Sequence, residues 1–277
     1  MRQAHADNTT QLRSTSHNED VTRVPSLLYL FLIPLTAYPF ARLTPEAARA
    51  FDRYVEPAEA AMNHDLAFEK IKLRSGEVRI DPGGTPPDIA GGMIQDWRGA
   101  LFLPHATIQK VKTVLQDYEN YKQFYKPEVI ESKQLAHQGD EYDVFLRLRK
   151  KQLLTVVLNT EYHVRYSQPD PRRMYVVSRS TRIAEVKDSE RSRATEEPVG
   201  HEFGFLWRLN SYWQFEEADS GVYAELRAIS LSRDVPVGLG WMIKGFVSKF
   251  PKESMLNTLR GTKAAVQALD PKPETRN

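Results

Sequence analysis

Metal and acid–base chemistry would most readily come from the histidines, and the chain has seven: His5, His17, His64, His105, His137, His163 and His201. No two stand at the i, i+4 spacing that places a metal pair on one helix face, and there is no HExxH. The absence of cysteine removes thiolate zinc sites, iron–sulfur clusters, thiol nucleophiles and disulfides. Nothing matches G-x-S-x-G, a P-loop or a dinucleotide fingerprint, and the pairs Gly83-Gly84 and Gly91-Gly92 read as turn material. Neither a metal nor a cofactor is expected. The remaining candidates for proton transfer are Tyr162, Tyr212 and Arg182, which would act only if the fold brings them together in a shaped cavity. His105, at the mouth of a predicted helix, reads as a capping or surface residue.

Thirty-eight basic against thirty-six acidic residues leave a net charge of +2, too small and dispersed for a nucleic-acid surface. With 41% hydrophobic and 27% charged residues the chain is an ordinary globular one.

The elements that must position these residues follow from periodicity. Residues 1–24 are polar and aperiodic. Ser26 to Ala41 is apolar but interrupted by Pro34 and Pro39, too short for a comfortable span and suited to a secretory signal, with Leu35-Thr36-Ala37 as a candidate cleavage site. Export to the periplasm or envelope is expected on that reading and a cytoplasmic location otherwise; an uncleaved anchor or a buried apolar arm are the alternatives. Thr44, Pro45 and Glu46 then start an amphipathic helix presenting Phe51, Tyr54, Val55, Ala58 and Met62, bent at Pro57. A short strand at Glu77–Asp81 and a Gly/Pro-rich connector lead to a boundary near Gly91. The resulting division is 1–41 leader, 42–90 helix and connector, 91–270 main domain and 271–277 tail.

From Met93 the period is that of strands. "MIQDWRGALFLP" comes first, two short helices follow up to Pro127, and six strand-like runs succeed one another from "EVIESKQLAH" to "GVYAELRAISLSRD". Turns are expected at Gln138-Gly139-Asp140, Ser167–Asp170 and Ala218–Gly221, so neighbouring strands are antiparallel. A long helix, kinked or restarted at Pro251, closes the chain.

This order resembles the START-like helix-grip domains (the SRPBCC, or polyketide cyclase/dehydrase and lipid transport, superfamily) over roughly Met93–Ala268. "FLPHATIQKVKTVLQDYENYKQFYKPEV", "LRLRKKQLLTVVLNTEYHVRY", "SRSTRIAEV", "GFLWRLNSYWQFEE" and "AISLSRDVPVGLGWMIKGFVSKFPKESMLNTLRGTKAAV" look like an uncharacterised bacterial branch. The resemblance implies an α+β fold in which a curved antiparallel sheet of about seven strands wraps a long C-terminal helix, leaving an elongated cavity between them. It also implies an apolar or amphipathic ligand and makes an exported N-terminus ordinary.

Strand alternation then sorts the faces. Trp207, Leu209, Ser211 and Trp213 are expected inward, with Leu146, Leu158, Thr160, Tyr162, Ser178, Arg182, Ala224, and Met242 and Phe246 of the last helix. Leu206, Arg208, Asn210, Tyr212 and Gln214 are expected on a solvated outer face, where Glu225 and Arg227 form a surface pair. A wall of rings with a few hydroxyls has the composition of a small-molecule pocket, although rings at period two also build plain sheet core. Thr160, Ser178 and Ser211 equally suit bonds to backbone. A buried Arg182 would need an anionic partner. The segment "GLGWMIKGFVSKF" packs on the sheet or touches a membrane transiently. The first expectation is thus a monomeric carrier of a hydrophobic small molecule or lipid. A polyketide cyclase- or dehydratase-like enzyme using Tyr162, Tyr212 and Arg182 is the alternative, and a non-catalytic envelope interaction module is a third.

Overall fold

The computed structural model describes residues 41–61, 73–74, 76–151, 155–187, 195–234 and 240–269, with side chains omitted for 240–250. The leader, the apolar run up to Phe40, Met62, the residues Val235 and Pro236, the tail from Pro271 and the side chains of Met242 and Phe246 lie outside the described residues. Among the described residues no helix is long and apolar enough to cross a membrane.

Helix α1 spans Pro45–Ala60; the Thr44 hydroxyl accepts from the Ala47 N–H at 3.1 Å, satisfying one of the donors a helix start leaves open. Pro57 is accommodated within it. The sheet strands are β1 Arg79–Pro82, β2 Met93–Pro104, β3 Val129–Gln138, β4 Glu141–Lys151, β5 Thr155–Asp170, β6 Arg173–Lys187, β7 Thr195–Glu196, β8 Arg208–Ala218 and β9 Gly221–Ser232. Helix α2 (Ile108–Gln116), a 3-10 turn at Tyr118–Asn120 and the one-turn helix α3 (Tyr121–Phe124) separate β2 from β3, and α4 (Gly240–Ala268) follows β9.

Every pairing is antiparallel, in the order β1-β2-β9-β8-β6-β5-β4-β3, with β7 beside β6. This is the α+β helix-grip architecture, with more strands than the seven expected. The β8–β9 hairpin turns through Asp219 and Ser220, both left-handed at φ 54° and 65°, the backbone that a tight two-residue hairpin requires. The β5–β6 turn falls later than expected: Asp170 already pairs with Arg173, leaving Pro171-Arg172 at the tip.

Helix α4 passes through Pro251 without a break and crosses the concave face over β2. Two glycines permit its approach. A Cβ on Gly99 of β2 would stand 2.7 Å from both Leu259 Cδ1 and Met255 Sδ, and one on Gly261 would stand 2.5 Å from the Phe124 carbonyl. Leu101, Leu103, Val111, Phe215, Leu259 and Val266 fill the interior around the C-terminal half of α4. A second core lies on the opposite, convex face, where Ala47, Phe51, Val55 and Ala58 of α1 pack on Ile94, Tyr212, Ile229 and Leu231.

Candidate ligand cavity

Between the concave face and α4 the described residues enclose a cavity of about 370 Å³, at the lower end of the range for small-molecule sites. Its floor is the alternating inward set of six strands. Val144, Leu146 and Leu148 come from β4, Leu158, Tyr162, Val164 and Tyr166 from β5, and Val176 and Ser178 from β6. Leu209, Ser211 and Trp213 come from β8 and Leu226, Ala228 and Ser230 from β9, while β2 contributes Gln95. Met255 and Thr258 of α4 form the roof, and Leu115, Tyr118, Tyr121 and Tyr125 close one side.

Rings dominate one end, and their hydroxyls are spent within the protein. Tyr166 donates to the Leu115 carbonyl at 2.8 Å, Tyr121 donates to the same carbonyl at 2.5 Å, and Tyr118 lies 2.8 Å from the Tyr166 hydroxyl. Burial pushes all three phenols up, Tyr121 and Tyr166 well above the ordinary value. Tyr125 meets Thr262 of α4 at 3.1 Å and is raised by burial to about 12. Neutral, mutually bonded phenols of this kind shape a wall and do not exchange protons near pH 7. Trp213 stacks on Phe215 with centroids 5.2 Å apart and lines the cavity from β8.

Ser178 and Ser211 are direct partners across the β6–β8 ladder, and both line the floor. Near the β4 end the wall carries charge: Lys150 donates to the Glu128 carboxylate in a close pair beside Arg149.

A further carboxylate organises the wall without lining it. Glu185 of β6 is buried, and its two oxygens accept the successive N–H groups of Phe203, Gly204 and Phe205 at 2.7, 2.8 and 2.9 Å. Burial raises its pKa, more than these three bonds lower it. The clamp bends the chain at Gly204 (φ 79°), and consecutive Phe205 and Leu206 both reach the cavity.

That bend corrects the expectation for Trp207. Alternation does not run from Phe205 into β8, which begins only at Arg208; Trp207 packs instead with the convex core under α1. Arg182 is likewise not inward. Opposite Tyr162 stands Ser180, but opposite Glu161 stands Arg182, so Thr181 is an extra residue that reverses the faces of β6 beyond it. Arg182 forks onto Glu196 on the outer side, with Glu161 at 3.5 Å. Ala224 and Thr160 face inward but are packed away from the cavity; the Thr160 hydroxyl donates to the Leu146 carbonyl at 2.8 Å.

The outer face is also less solvated than expected. Tyr212 is buried and donates to Glu59 of α1 at 2.9 Å, and Arg179 forks onto the same carboxylate at 2.8 and 2.5 Å. Arg227 pairs not with Glu225 but with buried Asp96, at 3.0 and 2.6 Å, where Tyr54 of α1 also donates at 2.8 Å. Glu225 is buried and faces Arg98 at 3.1 Å. Tyr162, Tyr212 and Arg182 therefore do not converge: only Tyr162 is in the cavity, raised to about 12 by burial. Among the described residues no cluster of His, Asp or Glu suits a metal ion. His105 lines a separate hollow with Arg172 and Glu217, where Glu217 accepts the Ile108 N–H at 2.7 Å and caps α2.

Sequence reasoning missed Glu185, Leu206 and the tyrosines of the α2–α3 corner. The spacing of Tyr118, Tyr121 and Tyr125 at i, i+3, i+7 was the available signal for the last of these.

No family model and no curated protein matches the chain. Solved structures with a similar fold include a protein of Thermus thermophilus, 16% identical, aligned over 63% of this chain and 98% of that one with a TM-score of 0.46. A STAR-related lipid transfer protein from Xanthomonas axonopodis is 18% identical over 68% and 99%, TM-score 0.43. The aromatase/cyclase Zhui from Streptomyces is 11% identical over 63% and 94%, TM-score 0.42. The helix-grip assignment rests on the element order and strand pairings of the chain itself.

Proposed function

We propose that the chain binds, and carries, an apolar or amphipathic small molecule of lipid-like character between the sheet and α4. The observation that supports this is the cavity itself: an interior space of about 370 Å³ walled mainly by aliphatic and aromatic side chains of the sheet and of the helices α2, α3 and α4. An unfilled apolar space of that size forfeits packing energy, and a ligand restores it. The non-converging Tyr162, Tyr212 and Arg182 give the enzyme alternative no comparable support. The same reading takes Ser26–Ala41 as a secretory signal, checked by sequencing the N-terminus of the native protein. The central experiment is native mass spectrometry with organic extraction of the purified protein, followed by titration with fluorescent lipid analogues. Co-purifying apolar material or saturable uptake is expected; an empty protein that takes up none of them would falsify the carrier reading.

A further inference from the structure

The cavity's polarity is distributed in a way that narrows the ligand. Ser178 and Ser211 sit directly opposite each other on β6 and β8, on the floor, and neither hydroxyl makes a hydrogen bond within the described structure. Cross-strand partners have Cβ atoms roughly 5 Å apart, so two such hydroxyls can address one ligand oxygen together. Around them the floor is mainly apolar: Val164 and Ala228 flank them in the same row, with Val176 and Trp213 on one side and Leu209 on the other. The next polar lining group is Ser230 of β9, opposite Leu209, while Ser180, buried beside the floor, accepts the Leu209 N–H at 3.0 Å. Both serines are half-buried, so their hydroxyls are open to whatever fills the cavity, and a ligand that displaced water there without bonding to them would leave them unsatisfied.

Charge is kept away from this point. Among the described residues the charged lining groups are Glu128, Arg149 and Lys150. Lys150 pairs with Val156, eight residues along β5 from Val164 in the serine row, roughly 26 Å at the rise of a strand. A carboxylate or phosphate seated at the serines would be desolvated with no cation among the described lining residues of that row to meet it.

We propose that Ser178 and Ser211 form a recognition site for a single oxygen, a hydroxyl or carbonyl, on an otherwise apolar and uncharged ligand with a ring system or single chain. This deepens the carrier reading and rests on it. A serine hydroxyl both donates and accepts, so the pair serves an alcohol and a ketone alike.

Three near-isosteric fluorophores test it: 1-methylpyrene, 1-pyrenemethanol and 1-pyrenecarboxylate, titrated against the full chain with energy transfer from tryptophan as the readout. The alcohol is expected to bind about five- to tenfold tighter than the hydrocarbon, the worth of about one hydrogen bond, and the carboxylate more weakly than the alcohol. Ser178→Ala combined with Ser211→Ala is expected to abolish that preference, so that 1-pyrenemethanol binds no tighter than 1-methylpyrene does to the same variant; each single variant is made as well. Equal affinity for alcohol and hydrocarbon in the wild type, or a preference that survives the double substitution, overturns the serine site but leaves the carrier reading standing. Tightest binding of the carboxylate overturns the uncharged-ligand assignment. Uptake of none of the three overturns the carrier reading together with this one.

Discussion

The Tyr212 hydroxyl on β8 donates to the Glu59 carboxylate on α1 across 2.9 Å, which ties a helix preceding the sheet to a strand near its centre. Arg179 shares the same carboxylate. Burial alone would raise the Glu59 pKa, but the bonds from Arg179 and Tyr212 outweigh it and hold the group below the ordinary carboxylate value. A carboxylate lowered in the fold contributes stability that is present above its unfolded pKa, 4.5, and is lost as pH falls through the folded value.

Glu59→Gln is therefore expected to lower stability at pH 7 by about 1–3 kcal/mol, measured by urea denaturation. Repeating the titration from pH 7 down through the acid range should show the wild type losing more stability than the variant. Parallel pH profiles would remove the helix anchor from the account.

The two tryptophans of the aromatic strand should separate. Trp213→Ala opens the cavity wall and the stack on Phe215; it is expected to cost about 3 kcal/mol and to weaken uptake of a fluorescent lipid analogue at least tenfold. Trp207→Ala acts on the α1 side and should destabilise without changing uptake. Arg182→Ala, which removes a largely exposed ion pair, should change stability by less than about 1 kcal/mol and uptake not at all.

Gly99→Ala places a Cβ 2.7 Å from Leu259 and Met255. Overpacking of this kind costs about 1–3 kcal/mol. Because Met255 also lines the cavity, the displaced helix should alter affinity as well as melting temperature. A variant that melts lower but binds identically would show that the roof adjusts elsewhere.

Glu185→Ala removes the acceptor for three backbone N–H groups and should speed amide exchange at Phe203, Gly204 and Phe205. The pH sign is opposite to that of Glu59. Burial raises the Glu185 pKa, so its ionisation costs stability progressively as pH rises from the unfolded value of 4.5 through the folded one. Removing the carboxylate should flatten that part of the stability profile, read by thermal melting from pH 4 upward.

The sequence made the element order legible because strand and helix periods differ so clearly: Leu209, Ser211 and Trp213 alternate, while Ile108, Val111, Val114 and Leu115 recur on one helix face. What it concealed depends on pairing. Nothing local marks Thr181 as an extra residue, yet it sends Arg182 outward. Trp207 continues an unbroken alternation on paper, and only the distant Glu185, by gripping the backbone before it, breaks the rhythm. The polar outer residues read as solvated because charge usually is; Asp96, Tyr212 and Glu225 are buried because each finds a partner on a neighbouring strand or on α1.

Both sides of the sheet are occupied, by α1 on one and by α4 and the cavity on the other. Thermal resistance can consequently drift during evolution without a matching change in affinity. Changes to residues beneath the first helix tune how long the scaffold survives, and changes on the floor decide what it holds, with the strands between them serving as a partition common to both.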